Sequence, residues 1–151
     1  MKNGLIAGGI ILLLLTSGMY MSRTAQIQDP NIISMNGLHT HPLLEIYVKG
    51  EKVEIPQNIG VGEMYRGRQG YGLGGMAMTP IHTHDDVPAI HLEYTGKVMK
   101  SDTALGNFFS VWGKDMRSFG ANMRMTVNGV ESTEYESYLM QDGDVIQLHY
   151  E

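Results

Sequence analysis

The chain has 151 residues, with 11 Lys+Arg against 16 Asp+Glu and no cysteine. That length predicts one principal domain. The missing thiol excludes a disulfide framework, a Cys-ligated zinc or iron–sulfur site and a cysteine nucleophile. All 16 acids lie beyond Arg23, where they meet nine basic residues. A domain of net −7 is a poor general binder of phosphate backbones, so nucleic acid is not an expected partner.

Between Lys2 and Arg23 lie 20 residues without a charge, and Leu5–Leu15 is almost wholly aliphatic. As a helix rising about 1.5 Å per residue, such a span reaches about 30 Å, the thickness of a bilayer core. Thr16-Ser17-Gly18 offers the small residues of a signal-peptide cleavage site, but Met19-Tyr20-Met21 prolongs the apolar stretch. Residues 1–23 are therefore expected as a transmembrane anchor, with a cleaved signal peptide as the alternative. The anchor makes the membrane an expected partner, and in either case the rest of the chain should lie outside it, at the cell surface or in the periplasm. Residues 24–37, punctuated by Asp29-Pro30 and Asn36-Gly37, read as a tether, and 38–151 as an extracytoplasmic β-rich domain.

Within that domain Leu44, Ile46 and Val48 alternate with Glu45, Tyr47 and Lys49, the period of a half-buried strand. Gly50-Glu51 predicts a type II′ turn, with Lys52–Ile55 returning antiparallel. The stretch Gly60–Gly75 holds seven of the 19 glycines and predicts an irregular loop. Thr103–Trp112 predicts the single helix, because Leu105, Phe108, Phe109 and Trp112 follow i, i+3, i+4, i+7 and Gly113 stops it. Met123, Met125 and Val127 then read as the buried side of a strand that turns at Asn128-Gly129. After Asp142-Gly143-Asp144 a last strand places Ile146, Leu148 and Tyr150 on one face, with His149 outward. The expected class is α+β, mostly antiparallel β with one short helix, and a β-grasp-like arrangement is one candidate.

Five of the six histidines fall in two related places. Leu38-His39-Thr40-His41 and Ile81-His82-Thr83-His84 differ by one aliphatic residue, and each precedes a Leu-Glu strand. In an extended strand His82 and His84 share a face. If Asp85-Asp86-Val87-Pro88 is a hairpin loop, His91 sits directly opposite His82, with Cβ atoms about 5 Å apart. Three imidazoles on one face are a ligand set for Zn(II) or Cu(II), with copper favoured where both are available. Asp85, Asp86 and Glu93 are the nearby acceptors for the ring N–H groups. His39 and His41 form a further candidate pair. Met76 and Met78 would share that face in an extended segment and are possible thioether ligands, although methionine is more often a core filler.

Other motifs lack their structural context. Gly70-Tyr71-Gly72-Leu73-Gly74-Gly75 fits G-x-G-x-x-G by letter, but a proline-containing extended segment follows where a helix is needed. His39, His41 and Glu45 have the H-x-H-x3-E spacing of a cupin motif without its flanking glycine or second motif. The blocks IPQNIGV (55–61), PIHTHDDVPAIHLE (80–93), LGNFFSVWG (105–113) and TVNG (126–129) resemble a family of short bacterial and archaeal proteins. Its members share a His-Thr-His-Asp block followed by Ile-His-x-Glu, a Phe-x-x-Trp-Gly helix and often an N-terminal membrane segment. That family carries no established activity, so the resemblance implies a compartment and a domain extent and no mechanism. Three function classes follow from the residues: a non-enzymatic module binding copper or zinc, a zinc-dependent hydratase or hydrolase, and an interaction domain without metal. The lack of a clear general base puts the metal-binding module first, and no catalytic residue is assigned.

Overall fold

In chain order the elements are β1 (Ile32–Ser34), β2 (Leu38–Thr40), β3 (Leu43–Val48), β4 (Glu51–Val53), β5 (Ile81–His82), β6 (His91–Tyr94), β7 (Val98–Met99), a helix (Leu105–Trp112), β8 (Arg124–Val127), β9 (Val130–Ser132) and β10 (Val145–Tyr150). They come from a computed structural model that describes residues 29–151. The expected anchor, residues 1–23, and the first part of the tether lie outside the described residues. No helix among the described residues is long and apolar enough to cross a membrane. Among the described residues the class is α+β, mostly antiparallel β with one α-helix, as the periodicity predicts.

The larger sheet has the order β4-β3-β10-β8-β9. Its ends are the two hairpins read from the sequence, and its centre is a pairing that the sequence did not reveal: β10 runs parallel to β3, with Ile146 beside Leu44 and Leu148 beside Ile46. All four side chains are fully buried, together with Met125 from β8. The helix covers this face with Leu105, Phe108 and Phe109. Residues 32–34, at the end of the expected tether, pair with β7, and Asn31–Glu151 forms one compact unit.

Two local expectations shift by a residue or two. The first hairpin turns at Lys49-Gly50, because Glu51 already pairs with Val48. Both turn residues have positive φ, 53° and 85°. This is a type I′ turn like that at Asn128-Gly129, whose φ values are 52° and 80°, and it matches the twist of the flanking strands. The helix begins at Leu105, the first residue of its apolar pattern and two residues later than the expected start at Thr103. Ala104 is held extended by a β-bridge to Leu139, and Lys100–Thr103 closes as a separate 3-10 turn. Gly113, at φ 74°, ends the helix as expected, its N–H bonded to the Phe109 and Ser110 carbonyls.

The buried carboxylate of Asp144 fastens the start of β10. It accepts from the Tyr138 hydroxyl at 2.7 Å, the Gln141 N–H at 2.8 Å and the Asn128 side-chain amide at 3.0 Å. Burial, and then this bond to Asp144, hold the Tyr138 hydroxyl pKa well above its ordinary value. Removing an acceptor that serves three donors leaves them unsatisfied. Asp144→Ala is therefore expected to lower stability by about 2–4 kcal/mol in urea unfolding of the full chain, with a smaller loss for Asp144→Asn.

Candidate metal centre

The smaller sheet, β2-β6-β5, carries the histidines. Ile81 pairs with Leu92 and His82 with His91, so the hairpin register is the one expected from a four-residue loop. That loop, residues 85–88, closes with the Ala89 N–H on the Asp86 carbonyl at 3.2 Å. Ile90 and Leu92 are fully buried, and period-2 alternation sends His91 and Glu93 to the opposite face. On the far side of β6, His39 pairs with Glu93 and Thr40 with Leu92. The bridge between Leu43 and Ala89 keeps that register, which puts His41 across from His91.

Five imidazoles therefore meet on one face with His91 at the centre. Its ring centroid lies 4.6 Å from that of His41, 4.9 Å from His84 and 5.3 Å from His82. His39–His41 and His82–His84 are each separated by 4.8 Å. Two triads have ligand nitrogens within 4.8 Å of one another: His82, His84, His91 and His39, His41, His91. All five histidines singled out in the sequence are thus brought together.

The inner triad is the more enclosed. The His82 side chain is fully buried, and its Nδ1–H donates to the Thr79 carbonyl at 2.9 Å. A carbonyl only accepts, so Nδ1 carries the proton and Nε2 keeps its lone pair. That Nε2 is buried and has no hydrogen-bond partner. His91 has the reverse arrangement. Its Nε2–H donates to both Asp86 carboxylate oxygens at 3.0 Å, and its buried Nδ1 is unpartnered. Burial is the main cause that brings the His82 pKa down to about 4, against an opposing contribution from the Thr79 carbonyl. The hydrogen bond from His91 holds the Asp86 carboxyl below its ordinary value.

Backbone pairing with residues 58–60 fixes His82 in place. The Thr79 N–H bonds the Gly60 carbonyl at 2.8 Å, and the Thr83 N–H bonds that of Ile59 at 3.0 Å. The Thr83 hydroxyl donates to the Pro56 carbonyl at 2.9 Å and accepts from the Ile59 N–H at 3.1 Å. Gly60 is needed where these segments touch, since a Cβ there would sit 2.6 Å from the Ile81 carbonyl oxygen and its φ is +79°.

Other singled-out residues lie elsewhere or play other parts. Bends at Met76, Ala77 and Pro80 interrupt the segment before His82. Strand parity therefore does not carry Met76 and Met78 onto the histidine face, and Met76 is exposed. Glu45, the acid of the H-x-H-x3-E spacing, lies on β3, where it accepts from Lys52 at 2.6 Å, Gln147 at 2.9 Å and Tyr47 at 3.0 Å. His149 faces the other side of β10 from Leu148 and stacks on Tyr47, 4.9 Å between centroids. Of the expected acceptors, Asp86 serves His91, and Glu93 lies 3.1 Å from His39 Nε2. The acceptor for His82, a main-chain carbonyl, escaped the sequence reading because every residue has one. The chain matches no protein-family model, no curated protein and no solved structure.

The pKa of His82 gives a test of this burial. An unfolded chain takes up the proton at the ordinary imidazole value of 6.5, while the folded chain resists until about 4. The contribution of the neutral ring to stability is therefore complete above 6.5 and is lost as pH falls through that window. Chelator-treated wild type should lose melting temperature between these pH values more steeply than His82→Asn, even if the variant is less stable throughout.

Proposed function

We propose that this domain is a metal-binding module holding a copper or zinc ion on His82, His84 and His91. The observation that carries the reading is the pair of buried, unpartnered imidazole nitrogens, His82 Nε2 and His91 Nδ1. Left unsatisfied, a buried polar atom costs about 1–3 kcal/mol. A cation satisfies both at once, and the opposite ring nitrogens already have the hydrogen-bond acceptors that orient ligating histidines, the Thr79 carbonyl and the Asp86 carboxylate. An all-imidazole donor set without thiolate suits Zn(II) and Cu(II), and the affinity order places copper first.

We place the module outside the cytoplasmic membrane, held there by the uncharged span before Arg23. Tagged full-length protein is expected in the membrane fraction, released by detergent and not by high salt. Soluble full-length protein would overturn this placement. A β-grasp-like reading of the larger sheet has support in its order, with two hairpins flanking a central parallel pair and a helix between them in sequence.

Replacing any one of His82, His84 and His91 with alanine should weaken Cu(II) or Zn(II) binding by at least about 100-fold, because loss of a ligand exceeds the usual cost of losing its hydrogen-bonded partner. Asp86→Asn should cost about 10–100-fold, and His149→Ala less than about threefold. Affinity should also fall between about pH 7.5 and about pH 5.5, since imidazole ligates only when neutral. Titration of the wild type and these five variants by calorimetry checks all three statements. Equal affinities across the series would mean that the histidine face is only a polar sheet surface.

A further inference from the structure

Resting on that metal-binding reading, we propose that the two imidazole triads are successive stations for a single ion. It is captured at His39, His41 and His91 and held at His82, His84 and His91. Both triads bring three ring nitrogens within 4.8 Å, and His91 belongs to each. With its Nε2–H on Asp86, His91 offers one lone pair, at Nδ1. A neutral imidazole with one lone pair serves one ion at a time. Simultaneous occupancy of both triads would require stripping the proton from Nε2 and displacing Asp86.

The triads differ in access in the sense that a relay needs. The His39 side chain is 63% exposed, whereas His82 is fully buried. The outer pair can therefore take an ion from solvent, and the inner triad, with His82 buried and His84 and His91 half-buried, shields it further from water. Glu93 lies between them, its Oε1 3.1 Å from His39 Nε2 and 3.8 Å from His91 Nδ1. This carboxylate offsets the charge of a cation arriving at the open end. Neighbouring rings from His39 through His41, His91 and His84 to His82 are nowhere more than 4.9 Å apart. The transfer exchanges ligands pairwise: His84 and His82 enter as His39 and His41 leave, with His91 bound throughout. The main chain of His41 is fastened by its N–H to the Asp142 carboxylate at 2.9 Å, so the outer pair has a fixed base.

Stopped-flow mixing of full-length protein with Cu(II) or Zn(II) alone, followed by transfer to a chelator, tests the relay. Wild type should bind one ion per chain. The double variant His39→Ala/His41→Ala should keep its equilibrium affinity within about threefold while both association and release slow by about tenfold or more, because a catalysed path is lost and not a stability. His39→Gln/His41→Gln, which preserves a polar edge strand, must slow the same rates. His82→Ala/His84→Ala should still bind one ion quickly but at least about 100-fold more weakly. Two ions bound per wild-type chain, or tight binding with unchanged rates in the outer variants, would overturn the relay and leave the metal site standing. Absence of any stoichiometric binding by wild type would overturn both.

Discussion

Between Thr40 and Leu44 the chain leaves the small sheet and enters the large one, and the rest of the structure depends on how that crossing is held. The Pro42 carbonyl accepts from Ile90 at 2.8 Å, Leu44 N–H bonds Pro88 at 2.9 Å, and Leu43 N–H bonds Asp144 at 2.7 Å. Proline suits the crossing because it brings no N–H that would need a partner there. These bonds join the end of β2, the hairpin arm that leads into β6 and the start of β10. They set the register of β10 against β3, which builds the core, and the height of His41 against His91, which builds the histidine face. A single slipped residue at this crossing would turn every alternating side chain over.

The two polar regions of the domain are satisfied in opposite ways. On the large sheet Glu45 receives bonds from Lys52, Gln147 and Tyr47, chiefly Lys52, and these hold its carboxyl at about 2. Nothing there is left over. On the small sheet the Nδ1–H of His82 and the Nε2–H of His91 have acceptors, yet the opposite ring nitrogens are buried without a hydrogen-bond partner. Backbone pairing along Asn58–Gly60 keeps the His82 ring from swinging out to water.

Much of this was legible one segment at a time. The alternation at 44–48 and 123–127 marked strands, Asn128-Gly129 marked its turn, and the helix face and its stop at Gly113 stood out. The His82–His91 pairing was legible too, because a short loop fixes a hairpin register by counting. Where local reading slipped, a long-range contact had intervened. Lys49, which is not a glycine, takes a left-handed conformation because Glu51 is already paired across the hairpin. Ala104 stays extended because Leu139 holds it.

What the sequence determined by itself was therefore the set of donors and their local grouping: two His-x-His pairs, a hairpin that adds His91, no thiol and an acidic domain. Those properties depend on spacing and residue type, which a single strand or turn enforces over a few residues. Only the tertiary structure decided that the two pairs share His91, that His82 is buried with its Nδ1–H on a main-chain carbonyl, and that β10 lies parallel to β3. The shared His91 and the parallel pair join segments tens of residues apart through backbone groups that every residue possesses, and although the Thr79 carbonyl is only three residues from His82, the pairing that buries the ring comes from residues 58–60. The choice among such pairings is made by which one buries Leu44, Ile46, Leu92, Ile146 and Leu148 together, a property of the whole chain and of no segment in it.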